Sequence, residues 1–353
     1  MPKLVIAGGA GFIGSQCAEY FAKKKFNVIL IDNFSRGNLL HQYLPRSRFN
    51  TDFLLNTYPN IKLFEFDLRD YEKVYPVISI ADGVIFAAGQ TAVTTSLQFP
   101  REDLENNLLT TFNVLECIRN SRNEIPFIYC STNKVYGDNT NQVPIIEHDD
   151  AYSLTEPHIK GFSEDLSIDN CVHSPYGVSK SAADLYVQDY GKIYGLKTGV
   201  FRMSCIYGPY QYGIADQGWV THFVASALSG KPITIYGNGK QVRDLLHVSD
   251  LVELFDAYLK KCKTVGSDVF NIGGGPKNAI SILQLVKKLR ELCNPEIIVK
   301  YDNWRLGDQK IYVSDIRKVQ TRLTWTPSIS IDQGLKTTIQ WISQNLNLFS
   351  KSS

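Results

Sequence analysis

A glycine-rich turn near the amino terminus constrains the fold of this chain more than any other feature. The apolar run Leu4–Ala7 leads directly into the sequence Gly8-Gly9-Ala10-Gly11-Phe12-Ile13-Gly14, after which helical spacing begins. Glycines here permit a tight turn and let backbone N–H groups approach a pyrophosphate, which the amino terminus of a helix also favours. The pattern therefore predicts a strand–turn–helix unit that binds a dinucleotide. The predicted contacts are Gly8, Gly11, Phe12, Ile13 and Gly14.

The second predicted strand, Asn27–Ile31, ends at a carboxylate that suits the same ligand. Asp32 follows Gly14 by 18 residues. A carboxylate there accepts hydrogen bonds from ribose hydroxyls and repels a 2′-phosphate, so the predicted cofactor is NAD rather than NADP, with Asn33 among its contacts. Taken alone, each motif has a simpler alternative, which is a structural glycine turn for the first and a solvated carboxylate at a strand end for the second.

Strand-like and helix-like segments alternate through the first 135 residues. Short β-branched runs are buried on both faces when they lie in a parallel sheet, and right-handed crossover helices connect them. The predicted fold class is therefore α/β, a doubly wound (Rossmann) parallel sheet. The predicted strands are Leu4–Ala7, Asn27–Ile31, Ile61–Phe66, Gly83–Ala87 and Phe127–Ser131, and the predicted helices are Gly14–Lys24, Asp70–Ser79 and Asp103–Asn120.

The second half of the chain loses this alternation. After a predicted strand at Lys197–Arg202, turns rich in glycine and proline separate short segments. We expect residues 1–203, joined by 243–272, to form the dinucleotide-binding domain, and residues 204–353 to form a smaller mixed lobe that binds the substrate. Residues 138–173 have weak periodicity and many turn residues, which predicts a long functional loop.

The composition excludes several classes of protein. The 353 residues carry 37 basic and 35 acidic side chains, a formal net charge of +2, and 44% of them are hydrophobic. A chain so near neutrality has no basic surface for nucleic acid, and no apolar run approaches the roughly 20 residues that cross a bilayer. Seven cysteines without a C-x-x-C pair, and no signal-peptide pattern, predict a cytoplasmic protein with reduced thiols. No histidine or cysteine spacing typical of a metal site occurs, so no metal is predicted.

Further cofactor contacts are expected at the carboxyl ends of the third and fourth strands, because a cofactor crevice lies at this edge of a parallel sheet. An acidic side chain there can reach the adenine amine, and small side chains let nicotinamide riboside lie against the backbone. Ordinary turn chemistry is the alternative for each of them. The residues are Asp67, Leu68, Ala87, Ala88 and Gln90.

Candidate acid–base residues lie at the start of the predicted helix Pro175–Tyr194. Tyr176 and Lys180 are four residues apart, so they share one helical face. An ammonium beside a phenol favours the phenolate and lowers its pKa from about 10, which lets the tyrosine exchange a proton with a sugar hydroxyl. Ser131 and Thr132 close the fifth strand, and we expect Thr132, with Ser131, to position that hydroxyl.

Together these residues make the chain similar to the extended short-chain dehydrogenases/reductases, the group of NAD-dependent nucleotide-sugar epimerases and dehydratases. The resemblance implies NAD as the cofactor, a nucleotide sugar as the substrate, and self-association as a homodimer or homotetramer. It covers nearly the whole length, through Val135-Tyr136-Gly137, Ile206-Tyr207-Gly208-Pro209, Tyr236-Gly237-Asn238-Gly239 and Phe270-Asn271-Ile272-Gly273.

The resemblance also implies roles for residues that no local pattern identifies. It implies a cofactor contact at Asn107, in the helix before the fifth strand. It implies that Arg243, Arg305 and Asp308 hold the phosphates and the nucleoside of the substrate. Arginine suits bidentate phosphate contacts, although a lone arginine more often forms a surface ion pair.

The end of the fifth strand discriminates among members of this family. Dehydratases resemble Thr-Asp-Glu there, with acids that drive the loss of water, whereas this chain has Asn133 and Lys134 after Thr132. An amide and an ammonium cannot replace that carboxylate pair, and an epimerase does not need it. Similarity to CDP-tyvelose (CDP-paratose) 2-epimerases is greatest in three segments, 88–96, 131–137 and 216–220.

The resemblance therefore implies an NAD-dependent isomerase that oxidises C2 of a CDP-hexose to a 2-keto sugar and returns the hydride to the opposite face. Two residues depart from the family, since Cys205 stands where many members place an asparagine that touches the pyrophosphate, and Thr110 where glycine is usual. A UDP-sugar 4-epimerase with the same acid–base residues is the first alternative. A net dehydrogenase or reductase that releases NAD(P)H and a non-catalytic nucleotide-sensing scaffold are the others.

Overall fold

The structure of the chain is a computed structural model that describes residues 1–39, 48–121, 124–305 and 307–349. Within these ranges its main element is a parallel sheet of seven strands, and the shorter strands form three smaller sheets. In chain order the strands are β1 (Lys3–Ala7), β2 (Asn27–Ile31), β3 (Ile61–Phe64), β4 (Gly83–Phe86), β5 (Phe127–Thr132), β6 (Ile145–Glu147), β7 (Tyr152–Leu154), β8 (Thr198–Met203), β9 (Cys205–Tyr207), β10 (Ile233–Tyr236), β11 (Val242–His247), β12 (Asp268–Ile272), β13 (Ala279–Ser281), β14 (Val299–Asp302) and β15 (Ile311–Tyr312).

Helices connect most strands of the large sheet. A π-helical turn, Glu105–Leu109, lies between two of them, and a 3₁₀ turn, Asn133–Tyr136, follows β5. The α-helices are α1 (Phe12–Lys23), α2 (Arg36–Leu39), α3 (Phe49–Thr57), α4 (Tyr71–Ile78), α5 (Val93–Gln98), α6 (Pro100–Leu104), α7 (Thr110–Arg119), α8 (Pro175–Ile193), α9 (Trp219–Leu228), α10 (Val248–Val265), α11 (Ile282–Leu292), α12 (Arg317–Leu323) and α13 (Ile331–Gln344).

The order of strands in the large sheet determines where a ligand can bind. The strands run β3-β2-β1-β4-β5-β8-β12, and every neighbouring pair is parallel. The chain builds outward from β1 to β3 and then returns to place β4 on the other side of β1. A crevice opens at the carboxyl ends of the strands at such a switch point. This topology confirms the doubly wound α/β fold class.

Alternate side chains of each central strand enter two different cores. In β1, Leu4 and Ile6 pack with apolar residues of α1 and α10 on one face of the sheet. Val5 and Ala7 pack with those of α4, α7 and α8 on the other face. Because helices cover both faces, residues 4–7 of this strand are apolar on both sides and buried. The sheet is a rigid support that fixes the positions of the strand ends.

The smaller lobe is built from short mixed sheets. Strand β10 pairs in parallel with β14, and β11 pairs with β9, β13 and β15. Residues Val224, Ile235 and Leu285 belong to a separate apolar core of this lobe. Of the segment 243–272, β12 joins the large sheet beside β8, whereas β11 pairs within the smaller lobe. The division of the chain into two domains at residue 203 stays a prediction.

Two details of the predicted local structure are wrong. The segment 138–173 contains the antiparallel pair β6 and β7 rather than only a loop, because strands of three residues are too short to show alternation. The predicted helix Asp103–Asn120 is interrupted by the π-helical turn. The side chains of Asn106 and Thr110 donate to main-chain carbonyls four residues earlier, at 2.7 and 2.6 Å, and these bonds compete with regular helix bonding.

Candidate active site

A cavity of about 1140 Å³ lies at the carboxyl ends of the central strands and extends along residues 203–219. Its wall contains most of the residues that the sequence predicts for the cofactor and for the acid–base chemistry. Gly14, Asn107, Lys180, Arg243, Arg305 and Asp308 are not part of the wall. The predicted residues that line the cavity are Gly8, Gly11, Phe12, Ile13, Asp32, Asn33, Asp67, Leu68, Ala87, Ala88, Gln90, Ser131, Thr132 and Tyr176.

The glycine-rich turn forms an open cradle at one end of the cavity. Gly8 has a φ of +77°, and a Cβ on it would lie 2.6 Å from the backbone nitrogen of Ala88. A Cβ on Gly14 would lie 2.1 Å from the carbonyl oxygen of Gly8, so Gly14 packs the helix against the turn. Helix α1 begins at Phe12 without a side-chain cap, which leaves its first N–H groups available to an anion. These residues fit a pyrophosphate.

Two backbone hydrogen bonds place Asp32 at the end of β2. Its Oδ2 accepts from the N–H of Ala10 at 2.9 Å, and its Oδ1 accepts from the N–H of Phe34 at 2.8 Å. Burial raises the pKa of Asp32, and these two bonds act in the opposite direction. Each carboxylate oxygen keeps a lone pair for a further donor. The carboxylate therefore fits the ribose hydroxyls of NAD.

Asn33 and Asp67 join the cavity ends of β2 and β3. Asn33 Nδ2 donates to Asp67 Oδ2 at 2.9 Å, and Arg69 forms an ion pair with the same carboxylate at 2.8 Å. The Arg69 guanidinium holds the pKa of Asp67 below its usual value. Asp67 is thus an ionised acceptor on the cavity wall, as contact with an adenine amine requires.

Asn107 is not part of the cavity wall, and its contact with the cofactor stays a prediction. It is buried behind the wall, where its Nδ2 donates to Asp103 at 3.2 Å and to Ser179 at 3.0 Å. Its neighbour Asn106 lines the cavity instead, together with Thr110. Both asparagines belong to the π-helical turn, whose wider winding changes which residues face inward.

Helix α8 carries Tyr176 in its first turn, at the edge of the cavity. Ser174 caps this helix, since its Oγ accepts from the N–H of Gly177 at 3.2 Å. The N–H of Tyr176 donates to Ser96 Oγ at 3.1 Å. The phenol is buried and hydrogen-bonds to Thr132 at the end of β5. The structure thus brings together two of the predicted acid–base residues on the cavity wall.

Burial dominates the acidity of the Tyr176 phenol and raises its pKa to about 12. The hydrogen bond with Thr132 acts in the opposite direction without restoring the usual value. The prediction of a pKa below about 10 is therefore wrong for the chain by itself. The physical reason is burial of the phenol, while the ammonium of Lys180 donates to the carbonyl oxygen of Cys130 rather than to the phenol.

The ammonium of Lys180 is buried outside the cavity wall. Its Nζ donates to the carbonyl oxygen of Cys130 at 2.6 Å and lies 4.3 Å from the centre of the Tyr129 ring. Burial lowers the pKa of Lys180 to about 8, while Asp184 and Asp103 act in the opposite direction. At neutral pH the side chain is still mostly protonated, so a positive charge persists behind the cavity wall.

A buried ion pair that sequence analysis missed supports this arrangement. Arg202 Nε donates to Asp184 Oδ2 at 2.9 Å, and the same carboxylate oxygen accepts from Ser131 Oγ at 2.6 Å. Ser131 lines the cavity, but its hydroxyl proton is used within the protein rather than for the predicted contact to substrate. The spacing of Asp184 could have indicated its place in the site, because it follows Lys180 by four residues and Tyr176 by eight on one helical face.

The residues predicted to hold the phosphates and the nucleoside have carboxylate or arginine partners within the chain. Arg243 pairs with Asp308 at 2.8 Å. Arg305 pairs with Asp216 at 2.9 Å, and its guanidinium lies 3.8 Å from the centre of the Tyr236 ring. A phosphate has to exchange with these carboxylates in order to reach either arginine. The role of these residues stays a prediction.

Sequence analysis also missed much of one side of the cavity. Residues Tyr210–Ala215 line it, in a segment punctuated by glycines. Arg36 ties this segment to the end of β2, since its Nη2 donates to the carbonyl of Tyr212 and to Gln217 Oε1, both at 3.0 Å. The glycine and proline spacing indicated a turn but not its position, because the contacts that hold it come from residues far away in the sequence.

Three further features complete the description of the site and its surroundings. Within the described ranges, no group of three or more histidine, cysteine or acidic residues is arranged to hold a metal ion. No helix in the same part of the chain has the length and apolar character needed to cross a membrane. The seven cysteines are free thiols.

Comparison with known proteins finds relatives along the whole chain. The NAD dependent epimerase/dehydratase family model matches residues 4–273. A CDP-paratose 2-epimerase from Salmonella typhi is 38% identical over 97% of this chain and 99% of its own length. A UDP-glucuronate 4-epimerase from Thermodesulfobacterium geofontis is 30% identical over 98% of this chain and 97% of its own length.

Solved structures show the same similarity in three dimensions. The UDP-glucose 4-epimerase of Thermotoga maritima, solved with UDP-glucose, has a TM-score of 0.79 and 28% identity, covering 98% of this chain and 99% of that chain. The UDP-glucose 4-epimerase of Thermus thermophilus, solved with NAD, has a TM-score of 0.77 and 26% identity, covering 97% and 99%. The similarity therefore includes both the large sheet and the smaller lobe.

Replacing Lys180 with methionine is expected to stabilise the fold at neutral pH. The pKa of about 8 in the folded state lies below the usual 10.5, so the unfolded chain binds more protons between these values. Wild-type stability therefore rises with pH across this window. We expect Lys180→Met to be more stable by about 1–2 kcal/mol at pH 7, after allowance for the lost hydrogen bond to Cys130.

Urea unfolding without cofactor, measured between pH 7 and pH 10, checks this prediction. The advantage of Lys180→Met should shrink as the pH rises above about 8. Lys192→Met, at an exposed lysine of the same helix, is the matched control and should show no such trend. An advantage that stays constant with pH would contradict the burial of a titrating ammonium at Lys180.

Proposed function

Because this chain belongs to the NAD dependent epimerase/dehydratase family and is an NAD-dependent isomerase of nucleotide sugars, we propose that it inverts C2 of a CDP-hexose. The proposal is supported by 38% identity to a CDP-paratose 2-epimerase along nearly the whole chain. The substrate class follows from the family, whereas the base and the inverted carbon belong to the proposal.

The residues that follow Thr132 carry the proposal. Asn133 Nδ2 donates to Gln309 Oε1 at 3.1 Å, and Lys134 Nζ donates to the carbonyl oxygen of Gly307 at 3.2 Å. Neither side chain is a carboxylate that could remove a ring proton and drive the loss of water. Oxidation and reduction at a single ring carbon need no such group, so this end of β5 suits an epimerase.

The cofactor is held at the glycine-rich turn and along the ends of the first strands. Bound NAD supplies the acceptor and donor of the hydride. Gly8, Gly11 and the amino terminus of α1 would hold its pyrophosphate, Asp32 would accept from its ribose, and Asp67 would accept from its adenine amine. The small residues after β4, Ala87 and Ala88, let the nicotinamide riboside of the cofactor approach the backbone.

As the phenolate, Tyr176 takes the proton of the sugar hydroxyl and becomes a neutral phenol, which returns the proton after inversion. Thr132, which hydrogen-bonds to the phenol, holds the hydroxyl in place and shares its proton. Lys180 keeps a positive charge behind the phenol and stabilises the phenolate whenever it forms. Burial favours the neutral phenol, so the phenolate is a short-lived state that depends on nearby positive charge.

Arg243 and Arg305 bind the diphosphate and the nucleoside in this proposal. Each arginine first releases the carboxylate with which it pairs, Asp308 or Asp216. Asp308 then accepts hydrogen bonds from the nucleoside. A phosphate of the substrate replaces the carboxylate, so each guanidinium stays paired with an anion and no unpaired charge is buried.

A UDP-sugar 4-epimerase is the second candidate. A UDP-glucuronate 4-epimerase is 30% identical over nearly the full length, and two solved UDP-glucose 4-epimerases share the fold. The same tyrosine, threonine and lysine serve both reactions. The two candidates differ in the base of the nucleotide and in which ring carbon faces Tyr176.

A second copy of this chain is the proposed partner of the outer faces of α7 and α8. Leu109, which precedes α7, and Phe112 are exposed, as are Leu185 and Tyr186 of α8. The rings of Phe112 and Tyr186 pack edge to face at 5.7 Å, so the exposed apolar residues of the two helices are contiguous. Such a surface favours burial against an identical one about a two-fold axis.

Incubation of the purified protein with CDP-hexoses and with UDP-hexoses tests the proposed function. We expect inversion at C2 of a CDP-hexose, detected by NMR of the sugar ring, without net release of NADH. Inversion at C4 of a UDP-hexose would instead establish the second candidate. Steady growth of NADH absorbance with substrate would indicate a dehydrogenase and contradict both.

Replacing Tyr176 with phenylalanine is expected to lower the rate of epimerisation by roughly 10² to 10⁴, because it removes the group that exchanges the proton. The substitution removes only the side-chain hydroxyl, so the fold and NAD binding should persist. Circular dichroism checks the fold, and calorimetry checks NAD binding. Tyr301→Phe, at an exposed tyrosine of the smaller lobe, is the matched control. Wild-type turnover by Tyr176→Phe would rule out the assignment.

Replacing Phe112 with glutamate is expected to dissociate the proposed dimer, because a charge in the centre of an apolar interface is costly to bury. Light scattering should give the mass of a dimer or a tetramer for the wild type. It should give the mass of one chain for Phe112→Glu. Ile298→Glu, at an exposed isoleucine of the smaller lobe, should keep the wild-type mass. A variant of unchanged mass would exclude this face as the interface.

A further inference from the structure

Lys134 is held between the end of β5 and the first turn of α8, next to the proposed acid–base residues. Its N–H donates to Thr132 Oγ1 at 3.2 Å, which starts the 3₁₀ turn after the strand. Its carbonyl oxygen packs against Gly177, where an added Cβ would lie only 3.0 Å away. Gly177 follows Tyr176 directly. The backbone of Lys134 is therefore fixed relative to both Thr132 and Tyr176.

Three charges meet at the side chain of Lys134. Arg243 and Asp308 both act on its ammonium, and they pair with each other at 2.8 Å. Arg243 pairs with Asp308, and Lys134 Nζ donates to the carbonyl oxygen of Gly307, the residue before Asp308, so the three side chains carry one positive charge in excess. Burial, followed by repulsion from Arg243, lowers the pKa of Lys134 to about 8, which leaves it mostly protonated at neutral pH. An anion placed between the two cations would relieve that repulsion.

The ammonium of Lys134 has more hydrogen-bond donors than acceptors around it in the described residues. It has three N–H donors. Within the part of the chain that the structure describes, it has one hydrogen-bond acceptor, the carbonyl oxygen of Gly307. Cys205, which lines the cavity, is close enough to act on the charge of Lys134. Lys134 itself does not line the cavity, but Thr132, to which its N–H donates, and Cys205 do. Its ammonium has donors available to a ligand that enters beside these two residues.

We propose that Lys134 binds the phosphate attached to C1 of the sugar and thereby presents C2 to Tyr176. The inference rests on the proposed function and adds the residue that selects the carbon. In a nucleotide-activated hexose, C2 is bonded to the phosphate-bearing carbon, whereas C4 lies across the ring. A cation that follows Thr132 by two residues therefore suits inversion at C2, because it holds the phosphate close to the residues that move the proton.

Binding of CDP and of CMP to the NAD-loaded enzyme tests this contact without turnover. The sugar is attached through the β-phosphate, which CDP has and CMP lacks. Calorimetry should show that Lys134→Met weakens CDP binding about 10- to 100-fold, as expected for loss of a hydrogen bond between charged groups, and leaves CMP binding unchanged. Lys134→Arg, which keeps the charge, should recover part of the affinity.

The matched control is Lys240→Met. Lys240 is a lysine of the smaller lobe whose Nζ pairs with the exposed carboxylate of Glu147 at 2.8 Å. This variant should bind CDP as the wild type does. The inference is wrong, and Lys134 does not bind the C1 phosphate, in either of two cases. In the first, Lys134→Met and Lys134→Arg bind CDP as tightly as the wild type does. In the second, Lys134→Met loses affinity for CDP and for CMP by the same factor.

Turnover of a CDP-hexose separates this inference from the proposed function. We expect Lys134→Met to raise KM and to lower kcat for inversion at C2, because the ring is no longer held with C2 at the phenol. Unchanged kcat and KM would overturn the inference while the proposed function stands. If the wild type binds CDP through Lys134 but inverts another carbon, the role in selecting C2 is overturned together with the proposed function.

Discussion

The hydrogen bond from Lys180 Nζ to the carbonyl oxygen of Cys130 supports the whole site. At 2.6 Å it joins helix α8 to the end of β5, the two elements that carry Tyr176 and Thr132. Burial disfavours the protonated form of Lys180, and the negative charge of Asp184 offsets part of this desolvation cost. This contact therefore holds together the two elements that carry the proposed acid–base residues, and it places a buried ammonium at their junction.

Positive charge lies on both sides of Thr132. Lys180 lies behind the cavity wall, and Lys134 lies beside Arg243, with pKa values of about 8 for both lysines. In a buried site such charges act over several ångströms with little screening. In the proposed reaction, Lys180 stabilises a phenolate at Tyr176, and Lys134 with Arg243 suits the diphosphate of an anionic substrate. The same strand end can thus serve proton transfer and substrate orientation.

The parts of the site that were predicted correctly are those encoded by neighbours in the sequence. The glycine turn at Gly8 and the carboxylate of Asp32 depend on one strand–turn–helix unit, so their spacing was sufficient to place them at the cavity. The acidity of Tyr176 was predicted wrongly because it depends on burial, which only the assembled fold determines. The π-helical turn that contains Asn107 was not predicted, because it depends on side-chain bonds to the main chain, and the Asp184–Arg202 pair was missed because it joins distant elements.

The acidity of the Tyr176 phenol decides whether this tyrosine can transfer the proton. Carbon-13 NMR of Cζ-labelled tyrosine, compared with a phenylalanine variant that identifies the signal, reports its ionisation with and without NAD. We expect a pKa of about 12 in the free protein and a value below about 10 with NAD bound, since an oxidised nicotinamide held at this end of the cavity would add positive charge near the buried phenol. A phenol whose pKa stays near 12 in the NAD complex would contradict the claim that this tyrosine is the proton-transferring group.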